Sequence, residues 1–322
     1  MTVALRAVDD GKDVFLSAYL GLLAPWLERE DVTELLVNGP GELWVEGEAG
    51  MERHELPALD ARFIRRLAEQ IARVSNQGVN REQPLLAATL PDGARVQIVA
   101  PTATRGDWAL AIRRHRLLER PLDSYGHTLV PGQPPLPPFG AGVDPIAYLR
   151  DAVRQRRTIL ISGGTSTGKT TFLNALLGEI GAHERLVLVE DTPEIRLPVA
   201  NGVGLVAVKG TLGEARVTSD DLVQAALRLR PDRIVLGELR GAEVVSFLRA
   251  INTGHPGSFA TIHANSPRGA LEQLVLMVMQ AGLGLGRDDT LAYARTVIDI
   301  VVQLDRSGGR RGIAAVTRTE DI

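Results

Sequence analysis

Apolar positions recur along this chain in two rhythms, and the change from one to the other divides it. In the first part Val14, Leu16, Tyr19, Leu20, Leu23 and Leu27 recur at helical spacing. Phe63, Ile64, Leu67, Ile71 and Val74 do the same after Asp60, whose short carboxylate suits an N-cap. Between these helices the runs ELLVN and ELWVE meet around Asn38-Gly39-Pro40-Gly41, and LLAATL and ARVQIVA flank Pro91-Asp92-Gly93, a hairpin turn. Helices and strands in separate blocks predict an α+β domain.

The second part alternates. TILIS, RLVLV, RIVLG and SFATI are apolar runs of strand length. Helices are expected from Lys169, near Asp220 to Arg230, near Ala242 to Ile251, and from Ser266-Pro267 through Leu271, Leu274, Val275, Val278 and Met279. That order predicts an α/β domain with a mostly parallel sheet covered on both faces. Between the parts lies VPGQPPLPPFGAG, where Pro131, Pro134, Pro135, Pro137 and Pro138 lack amide donors and fix φ. Neither a helix nor a central strand continues through such a stretch, so it reads as a semi-rigid linker. The expected organisation is an N-terminal α+β domain over 1–130, a linker over 131–143 and a C-terminal α/β domain over 144–322.

Composition narrows the function. The 322 residues, 44% hydrophobic and 23% charged, are ordinary for a soluble protein of two domains. A net charge of -3 and 4% aromatics supply neither a basic field nor a stacking platform, so no sequence-specific nucleic-acid binding is expected. The absence of cysteine excludes disulfides, cysteine-ligated zinc and thiol nucleophiles. Asp9, Asp10 and Asp13 interrupt the place of a signal peptide. The aliphatic run LVLMVM falls well short of the about 20 residues a membrane span needs. The basic stretch Arg113 to Arg120 reads as a solvated face, with peripheral contact to anionic lipid as its alternative.

The sharpest signal is TILISGGTSTGKTTF. Gly163, Gly168, Lys169 and Thr170 satisfy G-x-x-x-x-G-K-[ST] between an apolar strand and a helix. Gly163, Gly164, Thr165, Ser166, Thr167, Gly168 and Thr171 complete the loop and its exit. Glycines let backbone amides wrap phosphate oxygens, and the helix N-terminus favours the anion. Lys169 is expected on the β- and γ-phosphates, and Thr170 on magnesium. ATP and Mg2+ are therefore the expected ligands.

An NTPase also needs carboxylates beside the metal and the attacking water. RLVLV runs into Glu190-Asp191, and RIVLG runs into Glu238. Ligands of open α/β sheets gather at the carboxyl ends of strands, so both acids should face the phosphate loop. Either could be the general base while the other serves magnesium, Glu238 through water. His255 and His263 flank SFATI; His263, past the carboxyl end of that strand, reads as a γ-phosphate sensor, while His255 is balanced between structure and function. Their spacing is not a zinc pattern.

Taken in order, SGGTSTGKTTFLNAL, VEDTPEI, ALRLRPDRIVLGELRG and RAINTGHPGSFATIHANSP resemble the phosphate loop, acidic box, second acidic motif and histidine box of the secretion traffic ATPases. This superfamily serves type II secretion, type IV pili and type IV secretion, and the likeness is greatest to the type IV secretion branch. The resemblance implies a RecA-like ATPase domain in a hexameric ring, with nucleotide between the two domains. It implies a homohexamer in the cytoplasm, docked on inner-membrane components of the secretion complex and powering pilus assembly or substrate translocation. It assigns Arg95, in GARVQI, and Arg113, in ALAIRRH, to the phosphates, a role suited to arginine's permanently charged fork. Arg240, just after Glu238, would link the γ-phosphate to its neighbours. Arg114 leaves the register of the second arginine open. The alternatives are a pilus assembly or retraction motor, a nucleic-acid translocase, and a nucleotide-switched docking scaffold.

Overall fold

Asp60 accepts a hydrogen bond from the amide of Phe63 at 2.6 Å and opens a helix that runs until Ser75. The computed structural model describes residues 13–114, 137–140, 142–208, 215–307 and 310–322. Most of the proline-rich stretch, and the basic stretch beyond Arg114, lie outside the described residues. The chain divides into two compact units: one takes residues up to Val99 and Asp107–Pro137, the other Ala100–Gly106 and Pro138–Ile322.

In the first unit α1 (Asp13–Leu20), α2 (Ala24–Leu27) and α3 (Ala61–Val74) accompany six strands. These are β1 (Glu34–Val37), β2 (Glu42–Gly47), β3 (Gly50–Glu55), β4 (Leu85–Thr89), β5 (Arg95–Val99) and β6 (Ala109–Arg113). The sheet order is β3-β2-β1-β6-β5-β4, and every neighbouring pair runs antiparallel. Both expected turns form: β1 pairs with β2 around Gly41 (φ 84°), and β4 with β5 around Gly93 (φ 87°). Gly41 and Gly93 sit where side-chain-bearing residues are strained. The helical stripe Ile64, Leu67, Ala68, Ile71 and Ala72 is buried in one core with Leu35, Leu43, Val45, Ile98 and Ile112.

The second unit contains α4 (Pro145–Arg154), β7 (Ile159–Gly163), α5 (Lys169–Leu177), β8 (Leu186–Glu190), β9 (Gly202–Val206), α6 (Ser219–Ala226) and β10 (Arg233–Leu236). It continues with α7 (Glu243–Asn252), β11 (Phe259–Ile262), α8 (Pro267–Gln280), α9 (Arg287–Val297), β12 (Ile300–Ser307) and β13 (Arg310–Arg318). The sheet order is β13-β12-β7-β11-β10-β8-β9, parallel throughout except for β12 with β13. Strands β7, β8, β10 and β11 are buried along their whole length, as strands covered on both faces must be.

Two local outcomes differ from the pattern. The helix expected to reach Arg230 ends at Ala226, and Arg230 takes φ 56° just before Pro231, which disfavours helical backbone in the residue it follows. The segment Ala100–Gly106, expected with the N-terminal part, lies instead on the outer edge of β9. Thr104 bridges Leu205, Arg105 N donates to Gly204 O at 2.9 Å, and Val206 N donates to Ala103 O at 3.0 Å. Among the described residues no helix is long and apolar enough to cross a membrane.

Candidate functional site

β7 delivers the phosphate loop and α5 leaves it. A Cβ at Gly163 would meet Thr167 Oγ1 at 2.4 Å and the carbonyl of Leu304 at 3.2 Å, so only glycine fits there. Ser166 (φ 62°) and Gly168 (φ 91°) are left-handed, which turns successive amides towards one concavity. Thr167 is buried and ties the loop to itself, its hydroxyl donating to Gly164 O at 2.9 Å; Thr165, Ser166 and Thr171 are exposed. This cradle fits a phosphate chain, as the motif requires.

Lys169 folds back over the loop. Its Nζ donates to Gly163 O at 2.8 Å and Gly164 O at 3.2 Å, and lies 3.3 Å from His263 Nδ1. Burial pushes its pKa below the usual lysine value, against the pull of the Glu238 charge. The next links come from neighbouring strands. His263, past β11, places Nε2 2.6 Å from Glu238 Oε1. Glu238, past β10, accepts from Arg240 Nε at 2.7 Å, and Arg240 NH1 reaches Asp191 Oδ2 at 3.3 Å. That hydrogen bond to Glu238 is the largest influence raising the Arg240 pKa. A proton on His263 Nε2, leaving Nδ1 to accept from Lys169, satisfies the whole chain; this tautomer is inferred from the partners. Lys169, His263, Glu238, Arg240 and Asp191 thus form one connected line at the carboxyl end of the sheet.

Glu190 has a different environment. It is 4% exposed, and its Oε1 accepts from the amides of Glu194 at 3.0 Å and Ile195 at 2.8 Å. Its Oε2 is paired with Arg105. Another acid of this box, Glu194, places its Oε2 3.5 Å from Thr170 Oγ1. Sequence reasoning had not singled out Glu194, although it lies four residues along the same VEDTPE run. His255 donates from Nδ1 to Ala250 O at 2.9 Å, securing the end of α7.

In the first unit Arg95 and Arg113 are exposed and face one another across β5 and β6. Like charges directly opposite on a sheet repel. Arg113 pairs with Glu34 at 3.5 Å, and Arg95 has no ion pair among the described residues. Arg114 is committed elsewhere, its NH1 donating to Val32 O at 3.1 Å. In the sheet register it is Arg113, and not Arg114, that stands opposite Arg95.

Comparison with known proteins gives a consistent picture. The family described as "Type II/IV secretion system protein" matches residues 136–307. The chain is 43% identical over 313 residues to the type IV secretion system protein PtlH of Bordetella pertussis, covering 91% of each. It is 32% identical to the type IV secretion system protein VirB11 of Bartonella henselae, covering 96% of this chain and 94% of that one. The crystal structure of the VirB11 ATPase from the Brucella suis type IV secretion system, in complex with sulphate, matches with a TM-score of 0.88 at 34% identity, covering 96% of both chains.

Proposed function

The chain belongs to the type II/IV secretion system protein family and is an ATPase of the type IV secretion kind, and from that premise we propose that it is a ring motor docked on the cytoplasmic side of the inner membrane. The observation that carries the reading is the convergence of Lys169, His263 and Glu238 on the phosphate loop.

In this reading Lys169 exchanges the carbonyls of Gly163 and Gly164 for oxygens of the β- and γ-phosphates. Those carbonyls are neutral acceptors, whereas a phosphate is charged, so the exchange is favourable. Thr170 would hold magnesium, and Glu238 would hold it through water. The ion neutralises charge on the β- and γ-oxygens when bound. Glu238 is better placed than Glu190 to orient the attacking water, because its partners Arg240 and His263 are exposed enough to exchange, whereas Glu190 is buried on two loop amides and Arg105. His263, between Lys169 and Glu238, would register whether the γ-phosphate is present. Arg95 and Arg113 serve as phosphate ligands, which gives their mutual repulsion a counter-charge. Closure and release of the RecA-like unit through each turnover would supply rigid-body motion to a homohexamer. Its partners would be inner-membrane components of the secretion complex.

The test couples mass by light scattering to ATP turnover, for wild type and Glu238→Gln, with and without ATP and Mg2+. A particle near six subunits in both proteins, with turnover lost in the variant, is expected. A stable monomer with full turnover in Glu238→Gln would overturn both the ring and the assignment of the base.

A further inference from the structure

Glu190 ends β8 inside the acidic box, yet the residue that completes its environment comes from Ala100–Gly106. Arg105 pairs with Glu190 Oε2 and donates from NH1 to Ile195 O at 2.5 Å. Glu190 Oε1 takes the amide of the same Ile195 at 2.8 Å and that of Glu194 at 3.0 Å. Ile195 is therefore gripped at both ends of its backbone, at its amide by the carboxylate and at its carbonyl by the guanidinium. Arg105 is anchored in turn by its own amide on Gly204 O. Its stem crosses Gly204 so closely that a Cβ there would lie 2.4 Å from Arg105 Cδ, so the absence of a side chain at 204 is what lets the arginine through.

The gripped loop faces the phosphate site. It carries Glu194, 3.5 Å from Thr170 Oγ1, and Asp191, which holds Arg240 NH1 at 3.3 Å. Arg196 N donates to Asn174 Oδ1 at 2.7 Å, joining the loop to α5. Burial pushes the Arg105 pKa down, but an arginine stays charged. Among the described residues Arg105 is the charged side chain paired with the Glu190 carboxylate, whose other oxygen accepts from the two amides.

We propose that Arg105 is a positioning residue for ATP hydrolysis: with Glu190 it holds the loop after β8 so that Glu194 and Asp191 face the phosphate loop. The inference rests on the ATPase reading above and adds to it a residue outside the family motifs. Arg105 touches no reacting atom; it acts through Glu190 and Ile195.

The experiment measures kcat and KM for ATP against pH in Arg105→Met, Arg105→Lys, Gly204→Ala and the double variant Arg105→Met/Glu190→Gln, with folding checked by circular dichroism. In Arg105→Met a buried carboxyl has lost its counter-ion, so its pKa rises. A kcat at least tenfold lower at neutral pH is expected, recovering as pH rises, with KM little changed. Adding Glu190→Gln removes that pH dependence, since no carboxyl is left to titrate. Arg105→Lys keeps the charge but reaches one acceptor rather than two, and is expected to lie between. Gly204→Ala leaves every charge in place while displacing the arginine, and is expected to lower kcat as well. A wild-type kcat and pH profile in folded Arg105→Met overturns the proposal. Should that variant fail to fold, wild-type behaviour in both Arg105→Lys and Gly204→Ala overturns it equally. Failure of the ATPase reading itself looks different, because Lys169→Ala would then keep its turnover.

Discussion

The two ends of the parallel sheet in the second unit are built from the same residue types and put them to opposite uses. At the amino end Arg233 opens β10 at 1% exposure, with Nε and NH2 both 2.7 Å from the carboxylate of Glu184 and NH2 also on Val153 O at 3.0 Å. Arg185, fully buried, donates to Leu229 O at 2.8 Å and pairs with Asn201. Asp299 accepts from Thr158 N at 2.8 Å and from Arg157 at 3.2 Å. These groups close on one another and tie strand starts together. At the carboxyl end Lys169, His263, Glu238 and Arg240 are also linked, but the side chains of Arg240 and His263 are 59% and 48% exposed, and Lys169 rests on backbone carbonyls. A buried, saturated pair is costly to break and offers nothing to a ligand. A half-exposed line of charges can exchange partners when a phosphate arrives. The difference teaches that burial, more than residue type, separates structural from functional charge here.

Substitutions at five positions sharpen or break this comparison. Lys169→Ala should lower ATP turnover by at least about 10²–10³-fold, the loss seen when one preorganised transition-state donor is removed, while the melting temperature stays or rises because a half-buried charge has gone. A steady-state assay with a thermal melt checks both halves. Arg233→Met should do the reverse: about 3–5 kcal/mol of stability lost because Glu184 is left buried without its partner, with kcat per folded molecule kept. Denaturant titration measures this, and Arg233→Met/Glu184→Met should regain much of the loss.

The pH dependence follows from the same pair. Burial pushes the Glu184 pKa up, but the hydrogen bond and charge of Arg233, with Arg156 beside it, outweigh that and hold it below its ordinary value of 4.5. A depressed carboxylate contributes stability that is present above the ordinary value and lost as pH falls through the folded one. Wild type should therefore lose stability on acidification below about 4.5 more steeply than Glu184→Gln, which melting curves across that range would show. The smallest effect separates the two histidines. His255→Gln should cost about 1 kcal/mol, one neutral hydrogen bond, and leave kcat alone. His263→Gln should lower kcat with little change in stability. Equal kinetic effects from the two would erase the distinction between the sheet's ends.

Much of this site was legible before any coordinates. Gly163 to Thr170 is contiguous, so its strand, its turn and its helix start are local matters that spacing can express. Glu238 and His263 were legible because each follows an apolar strand run, and parallel strands present their carboxyl ends together. Glu190 satisfies the same rule, yet it is buried on two loop amides and a guanidinium. Nothing local says so, because the groups engaging it include a guanidinium from Arg105. Glu194 was passed over because it lies in an irregular loop where no periodicity points. Arg113 and Arg114 are adjacent and alike; β6 sends one to the surface and the other to Val32 O.

The sequence by itself determined the alternation of strand and helix, the phosphate cradle with its lysine, and the acids and histidine that end their strands. Each of these depends on interactions within a few residues or on a repeating hydrophobic period. Only the tertiary structure decided which charges are spent and which are free. Arg105 and Ile195 are 90 positions apart, and their meeting depends on where the segment before Asp107 lands on β9. A buried charge must find its partner wherever the chain brings one, and that partner is set by topology, which no short window of sequence contains.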